Sequence, residues 1–81
     1  MDIKQIEERV KKVIADVLKT DASTITENAN FIFDLGADSM QSMELVAAFE
    51  EEFEIEMDEN KALEVQSVSD AVTFIKGYMN N

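Results

Sequence analysis

Residues 34 to 53 read DLGADSMQSMELVAAFEEEF, and this stretch decides the architecture. It opens as a turn, with Gly36 supplying the permissive backbone, and continues as an amphipathic helix. Asp38 is placed as the N-cap, and Gln41 follows at capping-box spacing. Ser39 then falls at the first helical position, exposed at the positive end. A phosphate ester on its hydroxyl would lie near free backbone N–H groups and a favourable dipole. Beyond it, Met40, Met43, Val46, Phe49 and Phe53 form an apolar stripe at helical spacing, while Glu44, Glu50, Glu51 and Glu52 are assigned to the solvent side.

Around this stretch the composition excludes several functions. A chain of 81 residues, 46% apolar, is one small domain able to form a compact helical bundle, so residues 1 to 81 are read as a single domain. There is no cysteine, which removes disulfides, thiolate metal sites and cysteine nucleophiles. There is no histidine, the commonest general base and metal ligand. No metal site is expected, because the acidic stretch lacks the spacing and glycine of an EF-hand. No apolar run of about 18 residues is present to span a bilayer, and MDIKQIEERV does not resemble a signal peptide. A cytoplasmic monomer without membrane insertion is expected.

The net charge is −11 and unevenly placed: residues 1 to 19 carry +1 and residues 20 to 81 carry −12. That surface repels phosphate backbones, so nucleic acid is excluded as a partner. It would steer basic patches of other proteins toward the region around Ser39.

Flanking segments complete an all-α reading. Ile3, Ile6, Val10, Val13, Ile14, Val17 and Leu18 recur at steps of three and four, predicting a helix from about residue 3 to 18 with this face in the core. Asp2 and Gln5 form a capping box, and Glu7 and Glu8 stand one turn before Lys11 and Lys12. Residues 19 to 37 lack a period, yet Ile25, Phe31, Ile32, Phe33 and Leu35 predict a long loop folded back onto the core. FIF could read as a strand, but no second strand is available to it. Further on, Ile55 and Met57 point inward, Asp58 caps, and Ala62, Leu63 and Val65 suggest a short helix. Ser67 caps the last helix, with Val68, Ala71, Val72, Ile75 and Tyr78 or Met79 as its buried stripe; the tail from Met79 to Asn81 is expected to fray. The expected fold is an antiparallel bundle of three main helices and one short one, with the long loop between the first two.

A serine nucleophile needs a base held against its hydroxyl; here the candidate bases are carboxylates, and the neighbouring one, Asp38, is expected to turn toward backbone N–H groups as a cap. No Gly-rich phosphate loop is present. The residues therefore argue against an enzyme, and Ser39 reads as an acceptor modified by one.

DLGADS followed by ELVAAFEEEF, after a long loop and before a final SVSDAVTFI, resembles the acyl carrier proteins over nearly the whole chain. The resemblance implies a four-helix bundle and covalent 4′-phosphopantetheine, transferred from coenzyme A to Ser39 by a phosphopantetheinyl transferase. Acyl groups then ride on the arm's thiol as thioesters, for fatty-acid, lipid or polyketide-type biosynthesis. This accounts for the missing cysteine, since the working thiol belongs to the prosthetic group. Asp38 is part of the attachment motif. By the same resemblance Asp34, Asp38, Met40, Glu44, Glu50 and Glu51 form the surface that meets basic patches on acyl-handling enzymes.

The chain departs from the family pattern at Met40 and Gln41, at the uncharged Ser42, and at Met57 to Asn60, where a proline is usual. These changes suit a specialised carrier. Phe31, Met40, Met43, Phe49 and Phe53 form a candidate acyl pocket, although Met and Phe at helical spacing are core by default. Two other readings stand beside the favoured one. One is a carrier for an amino acid or other non-fatty acid; the second is an acidic interaction module bearing no prosthetic group.

Overall fold

Asp2 begins the first helix by accepting from the Gln5 N–H at 2.9 Å, while Gln5 accepts from the Asp2 N–H at 3.4 Å. The resulting α1 spans Ile3–Leu18 in the computed structural model, which describes residues 2–62 and 64–79. Ile6, Val10, Val13 and Ile14 are its buried residues. Ile3 departs from the expected core face and is 50% exposed, and Val17 and Leu18 are only partly covered. Lys11 pairs with Glu7 one turn earlier at 3.2 Å. Lys19 ends the helix in the left-handed region, at φ 57°.

The connection that follows is held by its own polar side chains. Asp21 accepts from the Ser23 N–H at 2.9 Å and from its hydroxyl at 2.8 Å, starting a 3₁₀ turn over Ala22–Thr24. The backbone bond, and then the hydroxyl bond, hold the Asp21 carboxyl below its ordinary pKa. Further on, Asn30 Oδ1 accepts from the Ile32 and Phe33 N–H groups at 2.9 and 3.0 Å. Asp34 Oδ2 accepts from the Asn30 N–H at 2.7 Å. The loop does fold back, burying Ile25, Ala29, Phe31 and Ala37, but Ile32 and Phe33 do not join the core: they are 51% and 86% exposed. The Asn30 turn reverses the chain at those two residues and aims them outward. No strand forms among the described residues. A single antiparallel bridge joins Asn30 to Ser67, and bonds from Phe31 N to Gln66 O and from Val68 N to Ala29 O tie the loop to the start of the last helix.

The second helix, α2, spans Ser39–Phe53. Its buried residues are Leu45, Phe49 and Phe53, whereas Met40 and Met43 are 71% and 56% exposed. The expected stripe is thus corrected by about one helical position at its start. The buried line runs at intervals of four, through Leu45, Phe49 and Phe53, and neither methionine falls on it. Glu52 also departs from the solvent side: it is partly buried and meets Arg9 Nε at 2.7 Å. The Arg9 guanidinium bonds the Glu52 carbonyl as well and lies 4.6 Å from the Phe53 ring centroid, fastening α1 to the end of α2.

Asp58 caps the short α3, Glu59–Ala62, by accepting from Asn60 and Lys61 at 3.0 and 3.3 Å. Leu63, expected in this helix, lies outside the described residues. Ser67 Oγ accepts from the Asp70 N–H at 3.2 Å and starts α4, Val68–Met79. Met79 is helical and partly buried rather than frayed; Asn80 and Asn81 lie outside the described residues. α1 packs against both α2 and α4. No polar side chain is buried among the described residues, so the core is held by apolar burial. Fully buried side chains such as Ile6, Ile14, Leu45, Phe49 and Ile75 each contribute about 1.5–3 kcal/mol.

Candidate functional site

Three features place Ser39 at the tip of the bundle. Gly36 turns the chain at φ 73°, a region that costs other residues strain. Ala37 is buried, and its N–H donates to the Phe31 carbonyl at 2.7 Å, which anchors the approach to the helix. Asp38 then stands as N-cap in extended conformation. Its Oδ1 accepts from the Gln41 N–H at 2.8 Å, and Gln41 Oε1 accepts from the Asp38 N–H at 3.2 Å. The predicted capping box is formed as expected.

Ser39 is the first residue of α2 and is exposed. Its hydroxyl makes no hydrogen bond to the described residues, whereas the nearby Ser42 hydroxyl is committed to the Asp38 carbonyl at 3.1 Å. Asp38 Oδ1 is occupied by the cap, so it is not held as a base against Ser39. The Ser39 and Met40 N–H groups lie in the turn that has no intrahelical acceptors. A phosphodiester on Ser39 therefore finds donors and the positive helix end, and no protein group has to be displaced. The site fits a covalent phosphate-linked group.

Beside Ser39 a cleft of about 230 Å³ opens between the loop, α2 and the α3 region. Phe31, Ile32, Met43, Ala62 and Val65 give it apolar walls, with Ser39, Ser42 and Gln66 at its polar margin. Two residues of the candidate acyl pocket, Phe31 and Met43, are thus brought to Ser39. The other three are not: Phe49 and Phe53 are buried at 1% and 5% exposure, Met40 is exposed, and none of them lines the cleft. Ile32, Ala62, Val65 and Gln66 were not singled out from the sequence as lining residues. For Ala62, Val65 and Gln66 no local pattern carries that information, since it is pairing between distant segments, such as Phe31 with Gln66 and Val68 with Ala29, that brings them near Ser39.

The acidic residues divide by what they already hold. Asp34, Asp38 and Glu50 each have a carboxylate oxygen committed to a backbone N–H, that of Asn30, Gln41 and Met57 respectively. Glu44 and Glu51 are exposed without such a bond, and Glu51 lines a groove between α1 and α2. Among the described residues no group of carboxylates is gathered to hold a metal ion, and no helix is long and apolar enough to cross a membrane.

The family described as "Phosphopantetheine attachment site" matches residues 8–75. An acyl carrier protein of Phenylobacterium zucineum is 52% identical over 69 residues, covering 85% of this chain and 87% of the relative. One from Caulobacter vibrioides is 53% identical over 68 residues, covering 84% and 87%. One from Sinorhizobium fredii is 52% identical over 71 residues, covering 88% and 91%. With the capped serine and the helical bundle agreeing, the chain belongs to the acyl carrier proteins, carriers rather than enzymes, whose prosthetic group is covalent 4′-phosphopantetheine.

Proposed function

We propose that Ser39 bears the 4′-phosphopantetheine arm and that the chain delivers acyl groups to partner enzymes of fatty-acid or related lipid biosynthesis. The observation that carries this is the uncommitted, exposed Ser39 hydroxyl at the capped start of α2. The arm supplies a thiol that forms thioesters, in a chain without cysteine. The chain's own part is to position and to exclude. Asp38 and Gln41 hold the first turn rigid, the open amides face the phosphate, and the missing base leaves Ser39 inert until a transferase acts. The apolar walls at Phe31, Ile32 and Met43 offer shelter to the near end of an acyl group. Glu44 and Glu51, with the outer oxygens of Asp34 and Asp38, meet basic patches on the transferase and the acyl-handling enzymes. The carrier works as a cytoplasmic monomer.

Incubation with coenzyme A and a phosphopantetheinyl transferase, followed by intact-mass measurement, tests the reading. Wild type gains one phosphopantetheine and Ser39→Ala gains none. Equal gain by the alanine variant, or no gain by wild type, overturns the assignment.

A further inference from the structure

Phe33 is the most exposed large apolar side chain among the described residues, at 86%, and it does not stand alone. Its neighbour Ile32 lines the Ser39 cleft and is 51% exposed, and Met40 and Met43 follow on the first turns of α2 at 71% and 56%. Ile32 and Met43 share the cleft with Ser39; Phe33 follows Ile32 in the chain and Met40 follows Ser39. The aromatic ring is not on a loose loop. Asn30 Oδ1 holds the Phe33 and Ile32 N–H groups, Asp34 locks Asn30, and Phe31 is anchored to Gln66. A turn with this many bonds holds an apolar side chain out in water at no gain to the core. Such a patch marks a surface that is covered in a complex.

The charge around it identifies what covers it. Residues 20 to 60 contain twelve acidic side chains and no basic one. Asp34 follows Phe33 directly, Asp38 precedes Ser39, and Glu44 is exposed just past Met43. A second copy would bring the same carboxylates face to face, so self-association through this patch is opposed. We infer that Phe33, with Ile32 and Met40, is an apolar anchor that inserts into a pocket, ringed by basic residues, at the mouth of an acyl-transferring partner enzyme, and that it selects which enzymes accept this carrier. The inference rests on Ser39 being the attachment residue. An aromatic side chain well buried at the centre of an interface has the character of a binding hot spot.

The test uses the holo chain as substrate for a purified acyltransferase, from the cells that make this carrier, that charges it from acyl-coenzyme A. Intact mass first establishes the arm on wild type, Phe33→Ala, Phe33→Leu and Phe33→Glu; no gain on wild type overturns the attachment reading and this one together. With the arm in place, Phe33→Ala is expected to raise KM for the carrier about ten-fold, with kcat and melting temperature unchanged. Phe33→Leu recovers most of the loss, Phe33→Glu is worse than alanine, and Ile3→Ala, an exposed apolar residue outside the patch, has no effect. An unchanged KM for Phe33→Ala on fully loaded carrier overturns the anchor while leaving Ser39 intact. A loss that tracks a fall in melting temperature, or a wild-type dimer that Phe33→Ala dissociates, overturns it as well.

Discussion

Ser39 and Phe33 differ in what surrounds them rather than in how exposed they are. Ser39 owes its place to Asp38, whose carboxylate closes the first turn on Gln41. Replacing a capping aspartate by alanine costs about 1 kcal/mol, which in a domain of this size lowers Tm by about 4–8 °C. Asp38→Ala is therefore expected to melt lower by that amount, and Asp38→Asn, which can still cap, by much less; thermal unfolding of the apo form measures both. The capping box was legible in the sequence because it depends on residues only three apart. Phe33 was not. An aromatic residue in an apolar run reads as core, and only the Asn30 turn, which pulls both following N–H groups onto one side chain, shows that it faces water.

At the scale of elements, the turn that leads into α2 depends on Gly36. Its φ of 73° lies in the left-handed region, and no atom stands within 4 Å of where a Cβ would be placed. Substitution there meets no steric clash, so its cost is backbone strain alone, about 1–2 kcal/mol. Gly36→Ala is expected to lower the urea midpoint with the slope m unchanged, and Gly36→Asn to recover part of the loss, since asparagine tolerates this conformation better. The helices themselves were legible: α1 follows its predicted range of residues 3 to 18, and α2 starts at the predicted Ser39. The faces were less so. Periodicity marks a stripe but not how fully the neighbouring segments cover it, so Ile3, Met40 and Met43 passed for core although each is at least half exposed.

Across the whole molecule, residues 20 to 60 carry acidic side chains and no basic one, while five of the seven basic residues fall within residues 1 to 19. Arg9 spends its charge inside the fold, on Glu52 and Phe53. What remains outward around Ser39 is carboxylate and apolar surface together. The two respond differently to salt, because screening weakens charge attraction and leaves apolar burial in place. Raising ionic strength from low to physiological is expected to raise KM of an acyl-transferring partner for the holo carrier several-fold with kcat held, while the ratio of KM values between Phe33→Ala and wild type stays constant. Steady-state kinetics across a salt series checks this, and a KM indifferent to salt would remove the electrostatic part of the docking surface. The sequence by itself determined the all-helical class, the caps, the serine at the start of α2 and the lack of cysteine and histidine, since each depends on residue type and short spacing. The tertiary structure alone decided which side of Phe31 is core and which is surface, which residues share a cleft with Ser39, and which carboxylates are left uncommitted. The physical reason is that these depend on contacts between segments such as Phe31 with Gln66 and Arg9 with Glu52, which no local periodicity encodes.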